Sequence, residues 1–266
     1  MTLAPFGRRL APLAENRRIG AYQLLVVEDR DGPGDPQPGQ FYMLASEERW
    51  GAGEGERPYL PRAFSFARAR EGRLWFLLED IGPGTHRLAE LEPGEGLWLT
   101  GPLGIGFEAS ADQPILVGGG IGTAPLLCLQ DQLGPDAPVL LGFRSAEHAQ
   151  AAELFAGEPQ IATDDGSIGR HALVTELLNE ELDRRSAVGG RRSRVYACGP
   201  PPMLEAVRAL CGEREVAAEL ALESGMACGF GACFGCVVPT KDGYIRLCVD
   251  GPVLQAQDLV PGGVGD

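Results

Sequence analysis

The chain has 266 residues and a mass of 28.2 kDa, which is long enough for two or three compact units that each bury a core. Hydrophobic residues make up 44% and charged residues 23% of it, which excludes a disordered or fibrous protein. The formal net charge of −14 argues against nucleic acid or an anionic membrane as a partner, because both attract Lys and Arg. We find neither a secretory signal nor an apolar run of membrane-spanning length, and we therefore expect a cytoplasmic protein.

Short apolar segments rich in strand-forming residues lie between residue 18 and about residue 107, separated by clusters of Gly and Pro. They are AYQLLVVE, QFYMLA, RAFSFA, RLWFLLE and GLWLTG. The pattern predicts an antiparallel β-barrel within residues 1–108, with the polar and Gly-rich residues 47–61 as a long surface loop.

From about residue 114 strands and helices alternate, beginning with the strand PILVGG and a helix that starts near Gly122. The later segments are PVLLGF, AEHAQAAELFA, QIATDD, ALVTELLNEEL, RVYACG and PPMLEAVRALC. Such alternation builds a parallel sheet covered by helices, so residues 109–222 are predicted to form an α/β domain that binds a nucleotide. Residues 223–266 are predicted to form a small Cys-rich and Gly-rich domain, which needs a staple because it buries little apolar surface by itself.

The segment ILVGGGIGTAPLLCL joins a predicted strand to a predicted helix through a glycine-rich turn. Such a turn presents free backbone N–H groups and the positive end of a helix dipole to a pyrophosphate. The candidate binding residues are Gly118, Gly119, Gly120, Gly122 and Thr123. The same turn also occurs where a strand and a helix simply pack closely, and the motif alone leaves that alternative open.

Two further segments place distinctive residues at the carboxyl ends of predicted strands, where ligands of open α/β sheets bind. YACGPPPML supplies Cys198 and Gly199, and IATDDGSIG supplies Asp164 and Asp165. We take Asp165, Cys198 and Gly199 as candidate cofactor-binding residues. The alternatives are a solvated turn for the aspartates and a small buried residue for Cys198.

The segments RAFSFA and IGPGTHRLAEL indicate a second phosphate-binding region, this time in the barrel. Arg62 and Ser65 are predicted to share one face of a strand, and Gly84 and Thr85 to precede a helix whose N-terminus offers further donors. The alternative for Arg62 is an exposed charge on the rim of the barrel.

The strongest signal is a C-x4-C-x2-C-x11-C pattern formed by Cys228, Cys233, Cys236 and Cys248. Its spacing is typical of plant-type 2Fe-2S ligands, and the glycines between the thiols let the backbone wind tightly around two irons. Structural zinc, which also takes four thiolates, is the alternative. Seven cysteines without an export signal favour metal ligation over disulfides, and Cys128 and Cys211 are predicted to be buried in helices.

In this order the motifs resemble those of the ferredoxin reductase superfamily and, over nearly the whole chain, those of the electron-transfer subunits of B-type dihydroorotate dehydrogenases. The segments that carry the resemblance are RAFS at 62–65, GT at 84–85, GPLGIGF at 101–107, VGGGIGTAPL at 117–126, LGFRS at 141–145, DDGS at 164–167, CGPPPML at 198–204, MACGFGACFGCVV at 226–238 and CVDGPV at 248–253.

The resemblance implies an FAD-binding barrel, an NAD-binding α/β domain and a 2Fe-2S domain that faces an FMN-containing catalytic subunit in a heterotetramer. The FAD-contacting positions that it implies are Arg62, Ala63, Phe64, Ser65, Leu77, Leu78, Glu79, Gly84 and Thr85, and the implied cluster ligands are the four cysteines of the pattern. Ala63 departs from the family, which commonly has Pro there, and the loop at 47–61 is longer than usual.

The implied function is electron transfer from the FMN of a dihydroorotate dehydrogenase catalytic subunit, through the cluster and FAD, to NAD+ in pyrimidine (UMP) biosynthesis. A nicotinamide carries hydride and a cluster carries single electrons, so FAD, which handles both, must lie between them. No catalytic acid or base is expected in this chain. The alternatives are the same kind of subunit in a ferredoxin-NAD(P)H transhydrogenase or a sulfhydrogenase, and a zinc-stapled nucleotide sensor without redox activity.

Overall fold

The computed structural model describes residues 7–51, 58–109, 113–188 and 193–264. Its N-terminal unit is a closed antiparallel barrel with the strand order β1-β2-β5-β4-β3-β6. The strands are β1 Arg8–Ile19, β2 Tyr22–Glu28, β3 Phe41–Ser46, β4 Arg62–Arg70, β5 Arg73–Glu79 and β6 Gly96–Leu103. The predicted barrel is confirmed, and the predicted loop at 47–61 lies partly outside the described residues.

The first strand was not predicted, because RRLAPLAENRRI is polar and contains Pro12. Pro12 is opposite Gly96 at the end of the pairing between β1 and β6, a position where a strand tolerates the loss of an N–H donor. Leu13, Phe66 and Phe76 are buried inside the barrel together with Leu and aromatic residues of the other strands. The barrel therefore closes around an apolar core, and its ligands must bind outside it.

The second unit is a seven-stranded sheet with the order β10-β9-β8-β7-β11-β12-β15. Six of these strands are parallel, and β15 runs antiparallel to β12. The strands are β7 Pro114–Gly119, β8 Val139–Phe143, β9 Gln160–Thr163, β10 Arg170–His171, β11 Arg194–Cys198, β12 Ala217–Ala221 and β15 Val253–Gln255. The strand β12 was not predicted, because AAELA carries few strand-favouring side chains.

Helices cover both faces of this sheet, as the alternating pattern predicted. Helix α1 Pro83–Ala89 lies beside the barrel, whereas the sheet is covered by α2 Ala124–Leu133, α3 Ala146–Ala149, α4 Val174–Val188 and α5 Pro201–Glu213. Helices α4 and α5 pack with Val117 and Val195 on one face, whereas α2 and α3 pack with Leu116 and Tyr196 on the other. Cys128 and Cys211 are buried within α2 and α5, which confirms that prediction.

The C-terminal residues fold onto both larger units. They contain the hairpin β13 Val237–Thr240 and β14 Gly243–Arg246, and then α6 Leu247–Asp250. The following strand β15 extends the sheet through pairing of Leu254 with Leu220, and the backbone of Gly251 accepts a hydrogen bond from Ile105. Within the four described ranges, no helix has the length and apolarity needed to cross a membrane.

Candidate functional site

The glycine-rich turn after β7 is shaped by close backbone packing at one residue and by an open backbone at another. A Cβ on Gly122 would lie 2.6 Å from the carbonyl carbon and oxygen of Cys198 and from the nitrogen of Gly199. Gly120 instead has φ +53°, and a Cβ there would meet only the hydroxyl of Tyr22, at 3.9 Å. Close packing therefore accounts for Gly122, while Gly120 keeps the surface of the turn open.

A cavity of about 660 Å³ lies over this turn. Its walls include Gly119, Gly120 and Gly122 at the end of β7, Gly142 at the end of β8 and Gly199 after β11. All are at the carboxyl edge of the sheet, where the strand order reverses and α/β proteins bind ligands. The volume lies within the range of small-molecule and cofactor sites.

Two polar atoms near the turn are buried without a hydrogen-bond partner. They are the hydroxyl of Thr123, which is fully buried beside the turn, and that of Tyr22, which comes from the barrel. Buried hydroxyls without partners are rare because each has given up hydrogen bonds to water. Of the two residues only Tyr22 lines the large cavity, so its hydroxyl fits a polar ligand at the glycine turn.

Asp164 and Asp165 have different surroundings. Asp164 lines the large cavity, whereas Asp165 is exposed and accepts hydrogen bonds from the backbone and the hydroxyl of Ser167, at 2.9 and 2.6 Å. These bonds from Ser167 lower the pKa of Asp165 below its ordinary value. The structure thus brings Asp164, rather than the predicted Asp165, to the cavity wall.

The side chains of Arg144, His148 and Glu79 form the wall of the cavity next to the barrel. Arg144 makes an ion pair with Glu79, and Nε2 of His148 is 3.5 Å from Oε1 of the same carboxylate. Glu79 is thus held by two groups of the α/β domain although it belongs to β5 of the barrel. The structure thus gives Arg144 a carboxylate partner.

A second cavity, of about 230 Å³, lies between the barrel and the sheet. Of the positions at which the family resemblance implies FAD, its walls include Ala63, Phe64, Ser65, Leu77, Glu79 and Thr85. Leu78 is instead fully buried in the core of the barrel. The two cavities share Glu79, Ile121 and Glu223 and are therefore adjacent.

Arg62 and Ser65 do not share a face of β4, because side chains alternate along a strand and the two are three positions apart. Nη1 of Arg62 donates to the carbonyl of Leu60 at 2.6 Å, and a Cβ on Gly84 would lie 2.7 Å from Nε of Arg62. Arg62 and Gly84 are thus in contact beside the second cavity.

Gly84 and Thr85 lie within α1 rather than before it. The hydroxyl of Thr85 accepts hydrogen bonds from the backbone N–H groups of Ile81 and Gly82, at 3.0 and 2.9 Å, and so caps the start of the helix. The helix therefore begins at Pro83, before Gly84, and not after Thr85 as predicted.

Glu223 is a site residue that the sequence analysis missed. It follows β12 by two residues and lines both cavities, and desolvation by the surrounding walls raises its pKa although the side chain is still exposed. Burial also raises the pKa of Cys198, and the charge of Glu223 adds to that effect. The signal that would have found Glu223 is an acidic residue at the carboxyl end of a strand, but AAELA was not predicted to be a strand.

The cysteine loop runs from Cys228 to Cys236 and packs against the barrel. Gly229 and Gly231 have φ values of +78° and +85°, and a Cβ on Gly229 would lie 2.7 Å from Cγ of Met43. The backbone N–H of Gly231 donates to the sulfur of Cys248 at 3.1 Å. The glycines are therefore required by conformation, by packing and by the donors that they direct at sulfur.

The four predicted ligands influence one another electrostatically. Cys233 affects the pKa of Cys228, and both Cys236 and Cys228 affect that of Cys248. Burial alone would raise the pKa of Cys228, but backbone N–H groups of the loop and the Cys233 thiol lower it to about 6. Burial, with the Cys236 thiol, raises the pKa of Cys248 to about 12. In the described ranges, no three His, Cys, Asp or Glu side chains are grouped to hold one metal ion.

An open groove of about 670 Å³ begins at Cys228 and runs along the outside of the barrel. Tyr59 and Phe230 line it, and both are exposed, as is Phe234 at the tip of the cysteine loop. We call Tyr59, Phe230 and Phe234 the aromatic rim. Exposed apolar patches are common where proteins bind other proteins, so the rim is a candidate for such a surface.

The two cavities, the cysteine loop and the aromatic rim follow one another in space. The shared residues Glu79, Ile121 and Glu223 connect the large cavity to the small one. Met226 lines the small cavity, and Cys228, two residues later, lines the groove at the rim. A path of adjacent sites therefore leads from the glycine turn to the protein surface.

Comparison with known proteins agrees with this arrangement. The family model described as the iron-sulfur cluster binding domain of dihydroorotate dehydrogenase B matches residues 223–260. Among solved structures, one described as NADH-dependent reduced ferredoxin-NADP oxidoreductase superposes with a TM-score of 0.80 and 22% identity, covering 97% of this chain and 92% of that chain. A ferredoxin reductase of carbazole 1,9a-dioxygenase superposes with a TM-score of 0.63 over 80% of this chain and 67% of that chain, also at 22% identity. These structures share the fold.

Curated relatives are similar along almost their whole length. The "Dihydroorotate dehydrogenase B (NAD(+)), electron transfer subunit" of a Geobacillus species is 41% identical over 272 residues, which covers 95% of this chain and 96% of the relative. The protein of the same name from Caldanaerobacter subterraneus is 34% identical over 256 residues, covering 94% and 97%. The chain belongs to the family of the electron transfer subunits of NAD(+)-dependent dihydroorotate dehydrogenase B.

Proposed function

We propose that this chain carries electrons from the FMN of a dihydroorotate dehydrogenase catalytic subunit to NAD+, as one step of pyrimidine (UMP) biosynthesis. The observation that carries the proposal is the series of adjacent sites from the glycine turn to the aromatic rim. When bound, NAD+ accepts hydride, a 2Fe-2S cluster passes single electrons and FAD exchanges both. The chain's own residues bind these groups in that order and exclude water between them.

The proposed NAD site is the large cavity. Its glycine turn offers backbone N–H groups to the pyrophosphate, and Thr123, which does not line the cavity, supports the turn from its buried position at the turn's end. Cys198 shapes the turn through its backbone, because Gly122 packs directly on it. Gly199 and Asp164 contribute to the walls, and Asp165 supports the neighbouring loop through its bonds to Ser167.

The proposed FAD site is the smaller cavity with its surroundings on β4, β5 and α1. Ala63, Phe64, Ser65 and Leu77 form the barrel wall, and Thr85 lies at the start of the helix. Arg62, in contact with Gly84, places a guanidinium next to that wall and so fits the phosphates of a dinucleotide. Leu78 acts indirectly by anchoring β5 in the core of the barrel.

The proposed cluster ligands are Cys228, Cys233, Cys236 and Cys248. Four cysteine sulfurs suit a group with two irons, each of which takes two protein sulfurs. Backbone donation to sulfur, as from Gly231 to Cys248, stabilises negative charge on thiolates. The chain thus divides, on this proposal, into an FAD barrel at 1–108, an NAD domain at 109–222 and a cluster domain at 223–266.

The proposed docking face for the catalytic subunit is the aromatic rim. Phe230 lines the same groove as Cys228, and Phe234 directly follows the exposed Cys233, so a partner that covers the rim also covers the cluster site and shields it from water. We propose that the assembly contains two copies of each subunit.

The function is tested by anaerobic purification followed by iron, sulfide and flavin analysis and two assays. We expect two irons, two sulfides and one FAD per chain, NADH oxidation with artificial acceptors, and no oxidation of dihydroorotate by the chain alone. Zinc without flavin, or dihydroorotate turnover by this chain alone, would contradict the proposal.

Docking is tested by co-purification with the catalytic subunit. Phe234→Asp introduces a charge at the rim and should weaken complex formation without changing NADH oxidation with artificial acceptors. Ile168→Asp, at another exposed apolar side chain, is the matched control and should bind the catalytic subunit normally. Equal binding by both variants would exclude the rim as the docking face.

A further inference from the structure

The hydroxyl of Tyr22 is buried without a hydrogen-bond partner although it lies beside the most open part of the glycine turn. The residue is 1% exposed, and its hydroxyl oxygen lies 3.9 Å from the position that a Cβ on Gly120 would occupy. Tyr22 lines the large cavity and does not line the smaller one. A buried phenol that has lost water and gained no partner needs an explanation, and a ligand atom in the cavity would supply one.

The position of Tyr22 is fixed by contacts on both sides of it. The backbone N–H of Ala21 donates to the carbonyl of Glu147 at 3.3 Å, and a Cβ on Gly20 would overlap that same carbonyl oxygen. The ring of Tyr22 packs edge-on against His148, with 5.7 Å between centroids. The barrel strand β2 therefore holds the phenol rigidly against the α/β domain, so that little ordering is required when a ligand binds.

The phenol is also kept in its donating form. Burial, reinforced by the negative charge of Glu79, raises the pKa of Tyr22 well above its ordinary value, so the hydroxyl carries its proton throughout the neutral range. No hydrogen bond joins it to Glu79, since the phenol oxygen has no hydrogen-bond partner among the residues that the structure describes. The proton is available to an acceptor in the cavity.

We propose that the hydroxyl of Tyr22 donates a hydrogen bond to the pyrophosphate of the nicotinamide dinucleotide bound over Gly120. The inference rests on the proposed NAD site and adds to it a donor from the barrel, so the dinucleotide is held by both larger units at once. A hydrogen bond to a charged oxygen is among the stronger ones in proteins, and its loss should weaken binding about tenfold or more.

The test is calorimetric titration of the FAD-loaded protein and of Tyr22→Phe with ADP-ribose, which contains the pyrophosphate, and with AMP, which does not. We expect Tyr22→Phe to bind ADP-ribose and NADH about tenfold more weakly, with unchanged affinity for AMP and unchanged FAD content. Tyr42→Phe is the matched control: it removes another buried hydroxyl without a partner, inside the barrel and away from both cavities, and should bind ADP-ribose normally.

Unchanged affinity of Tyr22→Phe for ADP-ribose would overturn the assignment while leaving the NAD site in place. Equal weakening with AMP, or in Tyr42→Phe, would assign the effect to the fold, and a loss of FAD would assign the hydroxyl to the flavin; each overturns the proposal. Failure of the unmodified protein to bind ADP-ribose and NADH would instead overturn the proposed NAD site, and this inference with it.

Discussion

The glycine turn yields the most demanding prediction, because one methyl group at Gly122 would meet backbone atoms that cannot rotate away. The added Cβ of Gly122→Ala would lie 2.6 Å from the backbone of Cys198 and Gly199, where ordinary contacts are 3.4–4 Å. The turn must therefore move by about 1 Å away from β11. Overpacking of this kind costs about 1–3 kcal/mol of stability. A misplacement of about 1 Å at a reacting group lowers a rate by about 100-fold.

The assay is anaerobic stopped-flow reduction of the bound FAD by NADH. Gly122→Ala should reduce about 100-fold more slowly at equal iron and FAD content, because only the NAD site is displaced. Gly212→Ala is the matched control, since a Cβ there meets nothing within 4 Å and the residue lies in α5, where Ala is favoured over Gly. Reduction of Gly122→Ala at the rate of Gly212→Ala would refute the packing argument.

Three further predictions concern Cys248 in the cluster site, Asp29 in the barrel and Glu223 at the cavity walls. Cys248→Ser should lose iron and sulfide in chemical analysis but keep FAD. The control is Cys211→Ala in α5, which replaces a thiol that is as buried as that of Cys248 and should keep iron, sulfide and FAD. Asp29→Asn should destabilise the protein by about 3 kcal/mol, seen as a lower Tm, because Arg9 then keeps a partly buried charge without its carboxylate; an unchanged Tm would contradict this. Desolvation at the cavity walls raises the pKa of Glu223, so its favourable contribution to stability is present below the ordinary value of 4.5 and is lost as pH rises through the raised pKa. Glu223→Gln should thus gain Tm relative to the unmodified protein between pH 5 and pH 8, and parallel Tm profiles would exclude this.

The fold was predictable from the sequence wherever side-chain pattern decides structure. Five of the barrel strands and the alternating units of the sheet follow from apolar periodicity and from Gly and Pro punctuation. The missing elements are those that tertiary contacts impose on weak local signals. The strand β1 is polar and is held by pairing with both β2 and β6, and β15 is a three-residue segment that becomes a strand by adding to β12.

Site residues were predictable where backbone geometry restricts residue type, as at the glycines and the cysteines. Site residues whose role depends on their tertiary surroundings were not predictable, because those surroundings depend on how the rest of the chain folds. Glu223 becomes a wall of two cavities only after β12 brings it between the barrel and the sheet. Tyr22 reads as a strand residue in AYQLLVVE, and its position against the glycine turn results from the contact of β2 with α3.

We propose that electrons pass from the partner subunit to NAD+ through the cluster site, the FAD site and the NAD site in series. The most direct test is NADH formation from dihydroorotate and NAD+ by the complex of this chain with the catalytic subunit, made with either the unmodified chain or Cys248→Ser. We predict NADH formation only with the unmodified chain, while both chains oxidise NADH with artificial acceptors. NADH formation by the Cys248→Ser complex at the unmodified rate would contradict the account.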